Sequence, residues 1–322
     1  MICRTLSFVG CPELYSRHMR CRSGRCHSQP FSDGEFGKGR DSAANRLEGI
    51  IKRKKEKIQA YLDEIGVEEL ENRLQDALKI GAGPTPFAFS QKVAEVGMVE
   101  GRPLLIFEVG RSEGEGESVE SAEKVAERAA RLVQAGADAL SVRVDEEVTP
   151  EGDKDAFVVC QACRSVPVFY RDWLLHPVQL VNAKSTGCSG VLGIVASVSG
   201  PKGTPVMSSF GSALGLDSPV EVVNLAEMKM MAEASVPFYC MDIGVSLSLS
   251  GIAGFGSDVV QGVLGEMPFG SLSIVGLRDI EKARSVRAAG ADGLYIRREI
   301  VDMYKGDEAS LVSHIKSLVD GD

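Results

Sequence analysis

The chain has 322 residues and a mass of 34.4 kDa, with 44% hydrophobic and 25% charged residues, 35 Gly, 13 Pro and a single Trp. That balance suits a globular chain long enough to bury a large core, and it excludes collagen-like, mucin-like and wholly disordered architectures. The formal net charge of −9 is unevenly spread, +4 over residues 1–40 and −13 over the rest, and so acidic a body lacks the basic face that nucleic-acid binding requires.

Residues 1–40 hold four of the eight cysteines (Cys3, Cys11, Cys21, Cys26), several Ser and Arg, and no helical or strand periodicity. This is the composition of an organelle transit peptide, with a disordered tail as the alternative, and it lacks the apolar central run of a secretory signal. The expected destination is the chloroplast stroma. No stretch of about 18 uninterrupted apolar residues follows, so no membrane span is expected. Two charged helical stretches, Asn45–Ile65 and Val67–Ile80, fall in a capping region over residues 41–100.

From residue 101 to 322 strand and helix alternate. Arg102–Val109 is an apolar run of strand length, and Ser118–Ala135 repeats Ala122, Val125, Ala126, Ala129, Ala130 and Val133 at helical spacing. Ala139–Val144 reads as strand, Asp155–Arg164 as helix, Pro167–Tyr170 as strand, His176–Ser185 as helix and Gly190–Val198 as strand. Val206–Leu214 then reads as helix, Pro219–Val223 as strand, Leu225–Ala234 as helix, Phe238–Val245 as strand and Asp258–Leu264 as a weak helix. Ser271–Val275 with Asp279–Ala289, and Gly293–Ile296 with Ala309–Val319, complete eight pairs. Eight such units in this length predict an α/β fold, a single (β/α)8 TIM barrel with an N-terminal helical extension. A doubly wound open sheet is the alternative, but Gly110–Ser118 (GRSEGEGES) is too acidic to cradle a phosphate at the first turn.

Of the cysteines beyond residue 40, Cys160 and Cys163 form a C-x-x-C inside an apolar helix-like run with no second pair or nearby His. They read as helix packing, and neither a metal nor a cofactor is expected. In a barrel the chemistry sits where strands end. Glu108 and Glu221 lie inside apolar strands and should face the mouth, with Arg171 able to pair with either; Arg143, Asp172, Arg297 and Arg298 also stand at strand ends. A structural ion-pair network would use the same residues. A mouth plugged by Phe107, Arg171 and Arg297 would favour a scaffold over an enzyme.

Several segments, in order, resemble the indole-3-glycerol-phosphate synthase family over about residues 45–320. Leu47–Lys57 (LEGIIKRKKEK) is similar to its N-terminal helix signature and Phe87–Ser90 (FAFS) to the substrate-contacting segment that follows. Leu105–Val109 (LIFEV) and Ala137–Asp145 (ADALSVRVD) resemble the first- and second-strand motifs. Pro167–Lys184 (PVFYRDWLLHPVQLVNAK) and Leu214–Val222 (LGLDSPVEV) carry the specific third- and fifth-strand matches, while Ile243–Val245, Gly276 and Ala288–Asp292 match more weakly. Residues 1–40 lie outside the resemblance, as in a plastid precursor.

The resemblance implies a reaction that closes an indole ring from a carboxyphenylamino-deoxyribulose phosphate, releasing CO2 and water. It also implies general acid–base residues and an anion clamp. Glu108 and Glu221 match the family's first- and fifth-strand glutamates. The third-strand lysine that acts as general acid falls on Arg171, and the lysine two residues beyond the first glutamate falls on Gly110. The Ser-Pro-Ser stretch becomes Glu113-Gly114-Glu115, and the sixth-strand Asn and Arg fall on Ser246 and Ser248. A seventh-strand Ser falls on Val275, beside a retained Gly276, and an eighth-strand Gly-Glu falls on Arg297-Arg298. The resemblance thus makes Glu108, Arg171 and Glu221 the candidate catalytic residues, and Phe89, Ser246, Ser248, Gly276, Arg297 and Arg298 the candidate substrate contacts.

Arginine stays protonated in proteins, so Arg171 can bind an anion but cannot usefully pass on a proton. The expectation is a binding or scaffold subunit that takes a phosphorylated small molecule or a plastid protein partner. The alternative is an active or altered sugar-phosphate enzyme.

Overall fold

Eight apolar runs become parallel strands, and each presents alternate residues to the inside of a barrel and to the surrounding helices. A computed structural model of the chain describes residues 37–79, 83–111, 120–145, 149, 151–241 and 257–320. The predicted transit segment up to residue 36, Glu113–Glu115, the weak match at Ile243–Val245, Ser246 and Ser248 lie outside the described residues.

The strands are β1 (Leu104–Val109), β2 (Ala139–Arg143), β3 (Val168–Arg171), β4 (Gly190–Leu192 and Ile194–Val195), β5 (Val220–Glu221), β6 (Phe238–Met241), β7 (Leu272–Leu277) and β8 (Gly293–Ile296). β1 pairs with β2 on one side and β8 on the other, and pairing continues in order from β2 to β3 to β4 and from β8 back to β5. The ring closes at β4, whose first half pairs with β3 and whose second half pairs with β5. Gly193 separates the halves at φ 114°, and a Cβ there would collide with the Asp172 carbonyl, so only glycine fits.

Among the described residues the α-helices of five or more residues, in order, are α1 (Gly37–Leu78), α2 (Ala88–Lys92), α3 (Ala122–Ala135), α4 (Gly152–Ala162), α5 (Pro177–Ser185), α6 (Ala196–Ala213), α7 (Leu225–Glu233), α8 (Ser257–Gly265), α9 (Ala283–Ala288), α10 (Arg298–Met303) and α11 (Glu308–Asp320). The two expected N-terminal helices are the two halves of α1, which bends at Gly66 (φ 71°) and opens at Gly37, ahead of the predicted Asn45. α5 starts as its sequence suggests: His176 Nδ1 accepts from Val178 N, Gln179 Oε1 accepts from His176 N, and Pro177 sits where no amide donor is needed.

Two expectations need correction. The strand expected over Gly190–Val198 stops at Val195, and α6 begins at Ala196, ten residues before the helix expected at Val206. Gly200 bends that helix at φ 72° and Pro201 opens its second part, so a Gly/Pro stretch that reads as loop is a kink within a helix. Among the described residues no helix is long and apolar enough to cross a membrane.

Alternation sorts the core. Leu105, Phe107, Val109, Leu140 and Val142 face the helices, whereas Leu104, Ile106, Ala139, Phe169, Phe238, Ile274 and Tyr295 fill the barrel. Phe107 therefore does not plug the mouth; its parity turns it outward. Phe89 also departs from expectation. Its ring is fully buried at the N-terminal end of the barrel, 5.2 Å from Phe169 edge-on and 5.8 Å from Phe238 in a stack, and it seals the floor instead of touching a ligand at the mouth.

Asp217 fixes that floor by accepting from Phe89 N at 2.8 Å, Ser90 N at 3.3 Å and the Ser90 hydroxyl. Asp217→Ala is expected to cost about 2 kcal/mol, the usual penalty for stranding buried donors. Urea unfolding, with hydrogen exchange over residues 88–93, measures it. An unchanged midpoint would mean that ring packing alone seats Phe89.

Candidate site at the barrel mouth

Three side chains expected at the mouth are brought together there. Glu108 on β1 lies two residues beyond Ile106, Arg171 on β3 two beyond Phe169, and Glu221 ends β5, so all three share inward parity above the apolar interior. Arg171 Nη1 lies 3.2 Å from Glu221 Oε1, its Nε 3.8 Å from Glu108 Oε1, and its guanidinium 5.2 Å from the Tyr295 ring centroid. The glutamates are 1% exposed and the arginine 8%. A buried cation thus sits between two buried anions and over an aromatic face, the pairing that such burial requires.

A second cation and a backbone amide also approach Glu108. Arg143 on β2 places Nε 3.7 Å from Glu108 Oε1, and Arg298 N donates to Glu108 Oε2 at 3.0 Å from the first turn of α10. Glu108 Oε1 accepts no hydrogen bond, and beside it on β2 the buried Ser141 hydroxyl has none either. The position that resembles the family's second lysine is Gly110. A Cβ there would lie 3.6 Å from Arg298 Cδ and 3.7 Å from Arg143 Cβ, so two arginines flank the place where that lysine would stand.

Arg298 also donates to the Arg111 carbonyl at 2.8 Å and pairs with Asp302 at 3.4 Å. Arg297 caps α10 and pairs with Glu299 at 3.3 Å. Burial pushes the Glu299 carboxyl up, but its own backbone amide, Arg297 and Arg143 together hold it below the usual glutamate range. Gly276 on β7 is buried with inward parity, level with Tyr295, while Val275 faces the helices. Ser246 and Ser248 lie outside the described residues. Glu108, Arg171, Glu221, Gly276, Arg297 and Arg298 therefore belong to one end of the barrel, and Phe89 to the other.

Sequence reasoning missed two supports. Tyr295 under Arg171 follows from the alternation Gly293, Tyr295, Arg297, a readable signal. Lys54 carries none beyond its place on a charged helix, yet its Nζ lies 2.7 Å from Asp172 Oδ2 with both side chains buried. Asp172 also accepts from Gln179 Nε2 at 3.0 Å and Trp173 N at 2.8 Å. Burial pushes its carboxyl up to about 6, against the pull of Lys54.

A family model described as indole-3-glycerol phosphate synthase matches residues 47–239. The indole-3-glycerol phosphate synthase of Acidithiobacillus ferrooxidans is 24% identical over 254 residues, 78% of this chain and 91% of that protein. The Opitutus terrae protein of the same name is 26% identical over 226 residues, 68% of this chain and 82% of that one. Among solved structures, a designed cube-shaped porous protein cage superposes with a TM-score of 0.51 at 13% identity, covering 67% of this chain and 72% of that one, a likeness of fold alone.

Proposed function

The chain belongs to the indole-3-glycerol phosphate synthase family, and we propose that this member keeps the barrel and a ligand-binding mouth but has lost ring closure. It acts as a binding or scaffold subunit for a phosphorylated small molecule or a protein partner, in the plastid that its N-terminal composition suggests. The observation that carries this reading is Arg171, at the general-acid position, set between Glu108 and Glu221. A guanidinium held charged between two carboxylates has no proton to give at neutral pH, and it occupies the carboxylates that would otherwise act as bases. Arg297 and Arg298 supply forks suited to a phosphate at the rim.

One observation favours a second reading, a working but altered enzyme. Arg143 and Arg298 flank Gly110, so cationic charge persists where the family's second lysine is lost. Charge alone stabilises a developing anion, but it does not replace proton transfer.

The two readings separate in one assay. The full chain, mixed with carboxyphenylamino-deoxyribulose phosphate, is expected to give no rise in indole fluorescence, while its melting point climbs as the ligand binds the native state. Turnover that Glu108→Gln abolishes would establish the enzyme instead. Neither turnover nor a thermal shift would remove both the synthase and the ligand-binding readings and leave a protein partner.

A further inference from the structure

A cleft of about 740 Å3 opens at the N-terminal end of the barrel, opposite the mouth. It lies between the segment Gly83–Val96 and the C-terminal ends of α4 and α5. Lys92, Arg164 and Lys184 line it, against a single carboxylate, Glu95. In a chain of net charge −9 this is a local excess of positive charge with an apolar wall, to which Phe157, Val96 and Val166 contribute. We infer that this cleft is a second ligand site, taking a phosphomonoester that carries a flat apolar body.

The three cations are not spent on ion pairs. Lys92 Nζ donates to the Asp138 carbonyl at 2.8 Å, Lys184 Nζ to the Leu214 carbonyl at 2.7 Å, and Arg164 Nη2 to Gln161 Oε1. Among the described residues none has a carboxylate within salt-bridge distance, and each ammonium keeps two donors that these bonds do not use. Burial lowers the proton affinity of both lysines, for Lys92 against the pull of the nearby Asp138, Glu100 and Glu95 carboxylates, and a bound anion would offset what remains of that cost.

Nor do the lysines serve the carbonyl end of α5. Thr186 N donates to the Asn182 carbonyl at 3.0 Å, Cys188 N and Thr186 Oγ1 share the Ala183 carbonyl, and Ser185 Oγ takes that of Val181. Phe157, 49% exposed on α4, supplies a face on which a flat body can stack. Arg164 offers the planar fork that suits a phosphate, and the two ammoniums act as point charges.

Phenyl phosphate is the probe, titrated calorimetrically into the full chain. It is expected to bind more tightly than inorganic phosphate, and less tightly as salt rises. Arg164→Gln, a surface change that leaves the core intact, and Lys184→Met should each weaken it about tenfold or more, as loss of a charged hydrogen bond does. Arg297→Gln at the mouth should leave the part of this binding that depends on Arg164 and Lys184 unchanged.

A second readout needs no variant. In acetic anhydride labelling read peptide by peptide, phenyl phosphate should protect Lys92 and Lys184 severalfold and leave the exposed Lys154 unaffected. Any one of three results would overturn the proposal: no binding up to about 10 mM, equal affinity for inorganic phosphate, or binding that depends on Arg297 while Lys92 and Lys184 stay unprotected.

Discussion

Arg171→Lys is expected to raise ring-closing turnover about 10²–10⁴-fold above that of the unaltered chain, the usual worth of a positioned general acid. The shorter side chain would carry its ammonium into the space between Glu108 and Glu221, whose carboxylates now lie 3.8 and 3.2 Å from the guanidinium. The Tyr295 ring beneath remains a favourable surface for it. What changes is the chemistry: an ammonium can lose its proton within reach of neutral pH and a guanidinium cannot. Initial rates of indole fluorescence check this, and the gain should fall on kcat with KM little altered, because the added interaction belongs to the transition state. Adding Gly110→Lys should give less than the product of the two effects, since Arg143 and Arg298 already press on that position and the residues act as one unit. An unaltered chain that already turned over at about 1–10³ s⁻¹ would remove the premise. A lysine variant with no gain would place the defect in the loops around the mouth rather than at residue 171.

The barrel was legible because parallel strands buried on both faces read as apolar runs, and eight of them recur between amphipathic segments. Boundaries failed where chemistry is ambiguous. Gly190–Val198 is apolar but for Ser197, so little in it marks the change from strand to helix at Ala196; the bend at Gly193 follows from the nearby Asp172 carbonyl, a contact distant in sequence. At the site, parity along β1, β3 and β5 was enough to turn Glu108, Arg171 and Glu221 inward. The same rule, applied strictly, turns Phe107 outward, because it adjoins Glu108. Phe89 was misplaced because a short motif carries no depth along the barrel axis: the hold of Asp217 on its amide decides which end it fills. Lys54 shows the limit most clearly, since its partner is more than a hundred residues away and a lysine in LEGIIKRKKEK reads as a solvated face.

That partner makes Lys54→Met the change with the largest expected effect on stability, and the effect depends on pH. Asp172 titrates near 6 in the folded chain and near 3.9 when unfolded. Because the native carboxyl is raised, the folded state binds the extra proton between those values. The contribution of Asp172 to stability is therefore greatest below pH 4, falls as pH rises through 4–6, and is level above that. Removing Lys54 takes away a cation that holds this value down, so the upper edge of the window moves higher.

At pH 5 both proteins carry a largely protonated Asp172, and the substitution should cost about 1 kcal/mol, a packing change. At pH 8 the buried carboxyl must be either unpaired or protonated, and the substitution should cost about 3–4 kcal/mol. Urea unfolding of the full chain at the two pH values checks the difference, and Lys54→Met with Asp172→Asn should recover most of the loss at pH 8. An equal cost at both would mean that Ile58, Leu175 and Val178, which pack α1 against the barrel, hold the helix without the ion pair. Asp172 follows Arg171 directly, and its carbonyl is the group that Gly193 must clear. The pair that fastens α1 thus also fixes the backbone that aims Arg171 between the glutamates. A weakened Lys54–Asp172 contact should therefore disturb ligand binding at the mouth, although neither residue belongs to the inward-facing set.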